Sequence, residues 1–331
     1  MLSLIRGCVM SNLLEVKDLK VSFTTRRGVV RAVNGLSFSL GAGKILGIVG
    51  ESGSGKSVSM SAIMGLLKDP GTSITGEVLF KGVDLLGKSE DLLREVRGKD
   101  ISMVFQDPMT ALTPVYSVGW HIIEQIRFHT EISKEQARKR AIELLDEVGI
   151  PDPQTRVDQY PHEFSGGMRQ RAIIAMSLAL NPSLLIADEP TTALDVTIQA
   201  QILELLKKLQ KQHNSSIIII THDMGVVSEI ADEVLVMYAG KMVERADRDD
   251  LFKDPAHPYT RGLMASVPRV DRPKVPRLDV IPGQPASLIQ LPEGCAFQNR
   301  CKLAHAGCSV TPAIVEISRT HLAACNLAVA Q

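Results

Sequence analysis

The segment "KILGIVGESGSGKSVSMSAIMGLL", residues 44–67, constrains the fold more than any other part of the chain. "ILGIV" reads as a short buried strand, and "VSMSAIMGLL" has the apolar spacing of a helix. Between them lie Gly50, four residues, Gly55, Lys56 and Ser57. A chain that wraps phosphates must turn consecutive backbone N–H groups inward, and side chains at Gly50, Gly53 and Gly55 would block that approach. The helix that starts near Lys56 aims the positive end of its dipole at the anion. Strand, loop and helix together match the phosphate-binding arrangement called Walker A: Gly50, Glu51, Ser52, Gly53, Ser54 and Gly55 are expected to wrap the phosphates of a nucleotide, with Val58 following in the first helical turn. Lys56 is expected to reach the β- and γ-phosphates, and Ser57 to set its hydroxyl on Mg²⁺. A plain glycine-rich surface turn requires neither the fixed spacing nor these flanks.

Composition narrows the remainder. A chain of 331 residues has room for one large domain with an appendage. Lys plus Arg equal Asp plus Glu at 37 each, so no overall basic field points to nucleic acid. No apolar run approaches the eighteen or so residues that span a bilayer, so a membrane role requires docking on something that does. "MLSLIRGCVM" is too short and weakly patterned for a secretory signal. Met10 opens a more natural beginning, which leaves residues 1–10 as an extension or an upstream start.

Along the chain, "LLEVKDLKVSF", "VVRAVNGLSFSL", "GEVLFKGVDLL" and "ISMVFQD" read as strands with glycine punctuation. From about residue 110 to 180 the pattern turns helical, with "SKEQARKRAIELLDEVGI" as its clearest part. "PSLLIADEP" and "SSIIIITHD" then read as buried parallel strands separated by the helix "TIQAQILELLKKLQKQ". Ligands of parallel sheets bind outside the carboxyl ends of strands, so Asp188, Glu189 and His222 are expected near the phosphate loop. Asp188 suits Mg²⁺ and Glu189 suits a base for the attacking water. As adjacent acids they also suit a helix cap. After Phe252 prolines dominate, and the last 37 residues carry Cys295, Cys301, Cys308 and Cys325.

"FSGGM", residues 164–168, ahead of "LLIADEPTTALD", resembles the signature motif of ATP-binding cassette proteins. Phe164 and Met168 depart from the commonest form, while Ser165, Gly166 and Gly167 keep the part that contacts phosphate. By the same resemblance Gln106 in "VFQDP" is the Q-loop glutamine beside Mg²⁺ and the attacking water, Asp195 is the D-loop aspartate, and His222 is the switch histidine. Phe23 is the candidate for the aromatic that stacks on adenine, with an ordinary strand phenylalanine as the alternative. The resemblance implies an α/β fold: a P-loop NTPase cassette with a mixed-sheet core, an antiparallel β subdomain and a helical subdomain, followed by a small cysteine-containing tail. The expected boundaries are 11–252 for the nucleotide-binding domain and 253–331 for the C-terminal region.

"FKDPAHPYTRGLMASVP" further resembles the C-terminal region of ATPase subunits of bacterial dipeptide and oligopeptide importers. That resemblance implies ATP hydrolysis coupled to import, with nickel importers and regulatory cassettes as the alternatives. It also implies partners: a second ATPase subunit in a heterodimer, two transmembrane permease subunits and an extracytoplasmic solute-binding protein, with no nucleic acid. The expected place is the cytoplasmic face of the inner membrane. The four clustered cysteines are separated by five, six and sixteen residues. They suit a [4Fe–4S] cluster or zinc, with packing thiols or disulfides as the plainer readings. The tail of peptide-importer ATPases points to the cluster. Too little apolar sequence surrounds them for a separate core, so a metal is expected to fold the tail.

Overall fold

The computed structural model describes residues 12–107, 111–192, 194–266 and 280–328. The expected extension 1–10, with Cys8 and Met10, therefore lies outside the described residues, as does 267–279 of the proline-rich stretch.

Two sheets carry the fold. Strands β1 (Asn12–Thr25), β2 (Gly28–Gly41), β4 (Thr72–Phe80) and β5 (Val83–Asp84) form an antiparallel sheet in the order β2-β1-β4-β5. Alternation along β1 and β2 sends Leu14, Val16, Val21, Leu36 and Phe38 to one face, where they pack on Met60 and Ile63 of the helix Lys56–Ile63.

The second sheet contains β3 (Ile45–Val49), β6 (Ile101–Val104), β7 (Leu184–Asp188), β8 (Ser216–Thr221), β9 (Glu233–Tyr238) and β10 (Lys241–Asp247). With β11 (Val315–Ser318) and β12 (His321–Ala323) its order is β11-β12-β10-β9-β3-β8-β7-β6. Strands β6, β7, β8, β3 and β9 run parallel, and β10, β12 and β11 continue antiparallel. Every residue of β3, β6, β7 and β8 is buried, as expected of strands covered on both faces. The helices Val118–His129, Lys134–Glu147 and Gly166–Ser177 join the same core through Ile122, Leu144 and Ile173.

The tail departs from its expected independence. Strand β12 pairs with β10 at Glu244↔Ala323, and Phe297, Cys295 and Cys301 pack on the main core. Apolar contacts with the cassette supply burial that the tail's own sequence lacks.

Candidate functional site

Parallel pairing places the carboxyl ends of β3, β7 and β8 side by side, with Val49 against Thr221 and Asp188 against Ile220. The phosphate loop leaves β3 at this edge. Its glycines answer to close backbone approach: a Cβ on Gly50 would lie 2.2 Å from the Met237 carbonyl oxygen, and one on Gly55 2.3 Å from that of Ala32. Gly55 also has φ +101 at the N-cap of the helix Lys56–Ile63. Ser52 and Gly53 are exposed, Ser54 is buried, and Val58 packs on the antiparallel-sheet core.

The Lys56 ammonium is turned into its own loop, donating to the carbonyls of Gly50 at 2.7 Å and Glu51 at 3.0 Å and to Ser54 Oγ at 3.4 Å. Burial lowers its pKa, while Glu189, Asp188 and Glu51 pull the other way. A phosphate oxygen entering the loop would draw the ammonium away from its loop acceptors, because it accepts from the same donor. Ser57 Oγ donates to Asp188 Oδ1 at 2.9 Å. Burial raises the Asp188 carboxyl, with the Ser57 hydrogen bond opposing the rise. A hydroxyl and a carboxylate side by side are hard oxygen donors of the kind that suit Mg²⁺.

Glu189 follows Asp188 in the left-handed region, φ 47, with its N–H donating to the Ile220 carbonyl at 2.8 Å. A non-glycine residue in this region stores local strain that the surrounding hydrogen bonds must hold. The turn swings the carboxylate out of β7 and among three side chains. Gln106 Nε2 donates to Oε2 at 3.1 Å, Thr192 Oγ1 donates to Oε2 at 2.8 Å, and His222 Nδ1 lies 3.3 Å from Oε1. Burial raises this carboxyl, but Thr192 and His222 outweigh it and hold it below the ordinary range. The group is thus kept ionised at the mouth of the phosphate loop. Thr192 was absent from the sequence-predicted site, and its signal was the hydroxyl three residues beyond Glu189 in "EPTT".

The other predicted residues stand apart from this cluster. Ser165 caps the helix Gly166–Ser177 by accepting from the Met168 N–H at 3.3 Å. Ser165 and Gly166 are exposed, and Gly167 packs beside Ile198. Asp195 caps the helix Val196–His213, accepting from the Ile198 N–H at 3.0 Å. Phe23 is half-buried in β1 against the antiparallel-sheet core.

A family model described as "ABC transporter" matches residues 33–192, and one described as "Oligopeptide/dipeptide transporter, C-terminal region" matches 243–308. The chain is 56% identical over 313 residues to an oligopeptide transport ATP-binding protein of Bacillus subtilis, covering 94% of this chain and 87% of that protein. It belongs to the ABC transporter family. A dipeptide transport ATP-binding protein of the same organism is 55% identical to this cassette protein, covering 88% of its chain and 87% of the relative. The oligopeptide counterpart of Escherichia coli is 51% identical, covering 95% and 92%. Among solved structures, the dimeric post-hydrolysis state of the ATP-binding cassette MJ0796 bound to ADP and Pi superposes with a TM-score of 0.64 at 27% identity, covering 71% of this chain and 98% of that one. The expected cassette fold is therefore the observed one.

The cassette protein's tail holds Cys295, Cys301, Cys308 and Cys325 as free thiols. Among the described residues no group of three or more His, Cys, Asp or Glu is placed to hold a metal ion. Neither the expected [4Fe–4S] cluster nor its alternative, zinc, therefore has a formed site among the described residues. Also among the described residues, no helix is long and apolar enough to cross a membrane.

Proposed function

We propose that this cassette hydrolyses ATP to drive peptide import through permease partners. The observation that carries the reading is the convergence of Ser57, Asp188, Glu189, Gln106 and His222 at the mouth of the phosphate loop. The close likeness to oligopeptide and dipeptide transport ATP-binding proteins supports the cargo class. In this reading Gly50, Ser52, Gly53, Ser54 and Gly55 wrap the phosphates, and Lys56 leaves its loop acceptors for the γ-phosphate. Phe23 stacks on adenine. Ser57, Asp188 and Gln106 would hold Mg²⁺, which would supply charge neutralisation on the phosphate oxygens. Glu189, ionised and fixed by Thr192, accepts the proton of the attacking water, and His222 orients the γ-phosphate.

Ser165 and Gly166 are exposed and Gly167 half-buried at a helix start, where they would contact nucleotide held by a second cassette, with Asp195 at the start of the next helix. The partners in this reading are a second ATPase subunit in a heterodimer, two permease subunits and, indirectly, an extracytoplasmic solute-binding protein. The chain sits peripherally on the cytoplasmic face of the inner membrane. Reconstitution with its permease and partner ATPase tests this. Peptide uptake into vesicles should require ATP and fall to background in Lys56→Ala when the partner's site is also disabled. Uptake that survives refutes the motor reading, and uptake of nickel in place of peptide moves the cargo.

We further propose that the four cysteines take a [4Fe–4S] cluster, the reading carried by the likeness of the tail to the C-terminal region of oligopeptide/dipeptide transporters. Backbone N–H groups two residues ahead donate to three sulfurs, from Phe297 to Cys295, from Leu303 to Cys301, and from Leu327 to Cys325 at 3.5 Å. Burial pushes the Cys295 and Cys301 thiols up, with the Phe297 and Leu303 bonds opposing the rise, and Cys295 lies within electrostatic reach of the other three.

A further inference from the structure

A glutamate in a loop that wraps a triphosphate is electrostatically adverse, yet Glu51 stands between Gly50 and Lys56. Its carboxylate is gripped by a residue 249 positions away: Arg300 Nη1 donates to Oε2 at 2.6 Å and Nη2 to Oε1 at 2.9 Å. The pairing is two-pronged and the Arg300 side chain is 5% exposed. Further contacts hold the arginine in place. Its Nε donates to the Pro282 carbonyl at 2.8 Å, and its guanidinium stacks by Tyr238 and Phe297 at 5.8 and 5.9 Å. The backbone of Glu51 is held from the same side, its N–H donating to the hydroxyl of the fully buried Tyr259 at 2.8 Å. Arg300 precedes Cys301 and closes the 3₁₀ turn Gln298–Arg300.

We infer that Arg300 of the cysteine-bearing tail is a positioning residue of the nucleotide site, neutralising Glu51 so that Lys56 is free to serve the phosphates. The inference rests on the ATPase reading above. Three features of the geometry carry it. Glu51 already acts on the Lys56 charge, and its carbonyl already accepts from Lys56 Nζ. An unpaired Glu51 carboxylate would therefore repel the triphosphate and compete with it for the same ammonium. Arg300 removes both effects at once, from a segment matched by the C-terminal-region model, whereas Glu51 lies in the segment matched by the transporter model. The packing of the tail around its cysteines thereby becomes a condition for a working phosphate loop.

The test is sign-specific and uses the full chain with Mg²⁺ and a fluorescent ATP analogue. Arg300→Met should weaken analogue binding by about tenfold, which is about 1.4 kcal/mol. In a Glu51→Gln background the same Arg300→Met change should cost less than twofold, because no stranded carboxylate remains. A tail that merely unfolded would not be rescued by a substitution in the phosphate loop. The inference is overturned if Arg300→Met binds like wild type, or if Glu51→Gln fails to relieve its loss. Lys56→Ala, run in parallel, separates the two claims: its failure to abolish binding sinks the ATPase reading, whereas its success beside a silent Arg300→Met sinks the positioning role alone.

Discussion

Gly55→Ala should damage both the stability of the cassette and its nucleotide site. Two costs add. The residue has φ +101, which an L side chain rarely adopts, and the strain amounts to about 1–3 kcal/mol. The new Cβ would also lie 2.3 Å from the Ala32 carbonyl oxygen, a backbone atom with no flexible side chain to swing away. Ordinary contact requires a retreat of roughly 1 Å, and such overpacking costs a further 1–3 kcal/mol or about that. A total of about 2–6 kcal/mol corresponds to a fall in Tm on the order of 10 °C. Displacing the loop by roughly 1 Å should also cut ATP turnover about 100-fold. Gly53→Ala is the control, because Gly53 has φ +77 but no atom within 4 Å of its ideal Cβ. It should bear the strain alone and lose only a few degrees, about 2–4 °C per kcal/mol. Differential scanning calorimetry on the two variants decides the matter. Equal melting temperatures would refute the view that backbone approach, and not dihedral freedom alone, dictates glycine at this position.

Further predictions concern the C-terminal region. His257 is 1% exposed and burial holds its pKa down at about 4, against 6.5 for an ordinary histidine. Its contribution is complete above pH 6.5 and is lost as pH falls toward 4, about 3 kcal/mol in all. His257→Asn, which keeps a capping acceptor, should flatten denaturant midpoints over that window, and an unaltered pH profile contradicts this. His321 works in the opposite sense: the Glu244 carboxylate at 2.7 Å raises its pKa, so its contribution is present below pH 6.5 and fades as pH rises. Protein prepared without oxygen should be brown, with iron and acid-labile sulfide in equal amounts, both lost in Cys301→Ser. Colourless protein lacking iron, zinc and sulfide would mark the cysteines as packing thiols.

Much of the site was legible in the sequence because its residues are tied to local structure. The phosphate loop needs a strand before it and a helix after it, and Asp188 and Glu189 end an apolar strand whose partners are parallel. What escaped depends on backbone geometry and on contacts that no sequence period marks. Thr192 reaches Glu189 only because Glu189 adopts φ 47 at the strand end. The Arg300 to Glu51 clamp joins positions 249 residues apart and has no sequence period. The hairpin of β9 and β10 was hidden in "EVLVMYAGKMVERAD", whose short turn at Ala239 and Gly240 separates two strands buried over most of their length. The tail looked too poor in apolar residues for a core, and it borrows one by extending the main sheet through β12.

Glu189→Gln tests the central claim most directly. The amide preserves the shape of the side chain and keeps acceptors for Thr192 and Gln106, but it is a far poorer proton acceptor than the carboxylate. In the assembled transporter, with the partner's site disabled, the variant should bind ATP as tightly as wild type and hydrolyse it about 100-fold more slowly or worse. Normal binding with undiminished hydrolysis would contradict the account, because the carboxylate that Gln106, Thr192 and His222 surround would then not be the base.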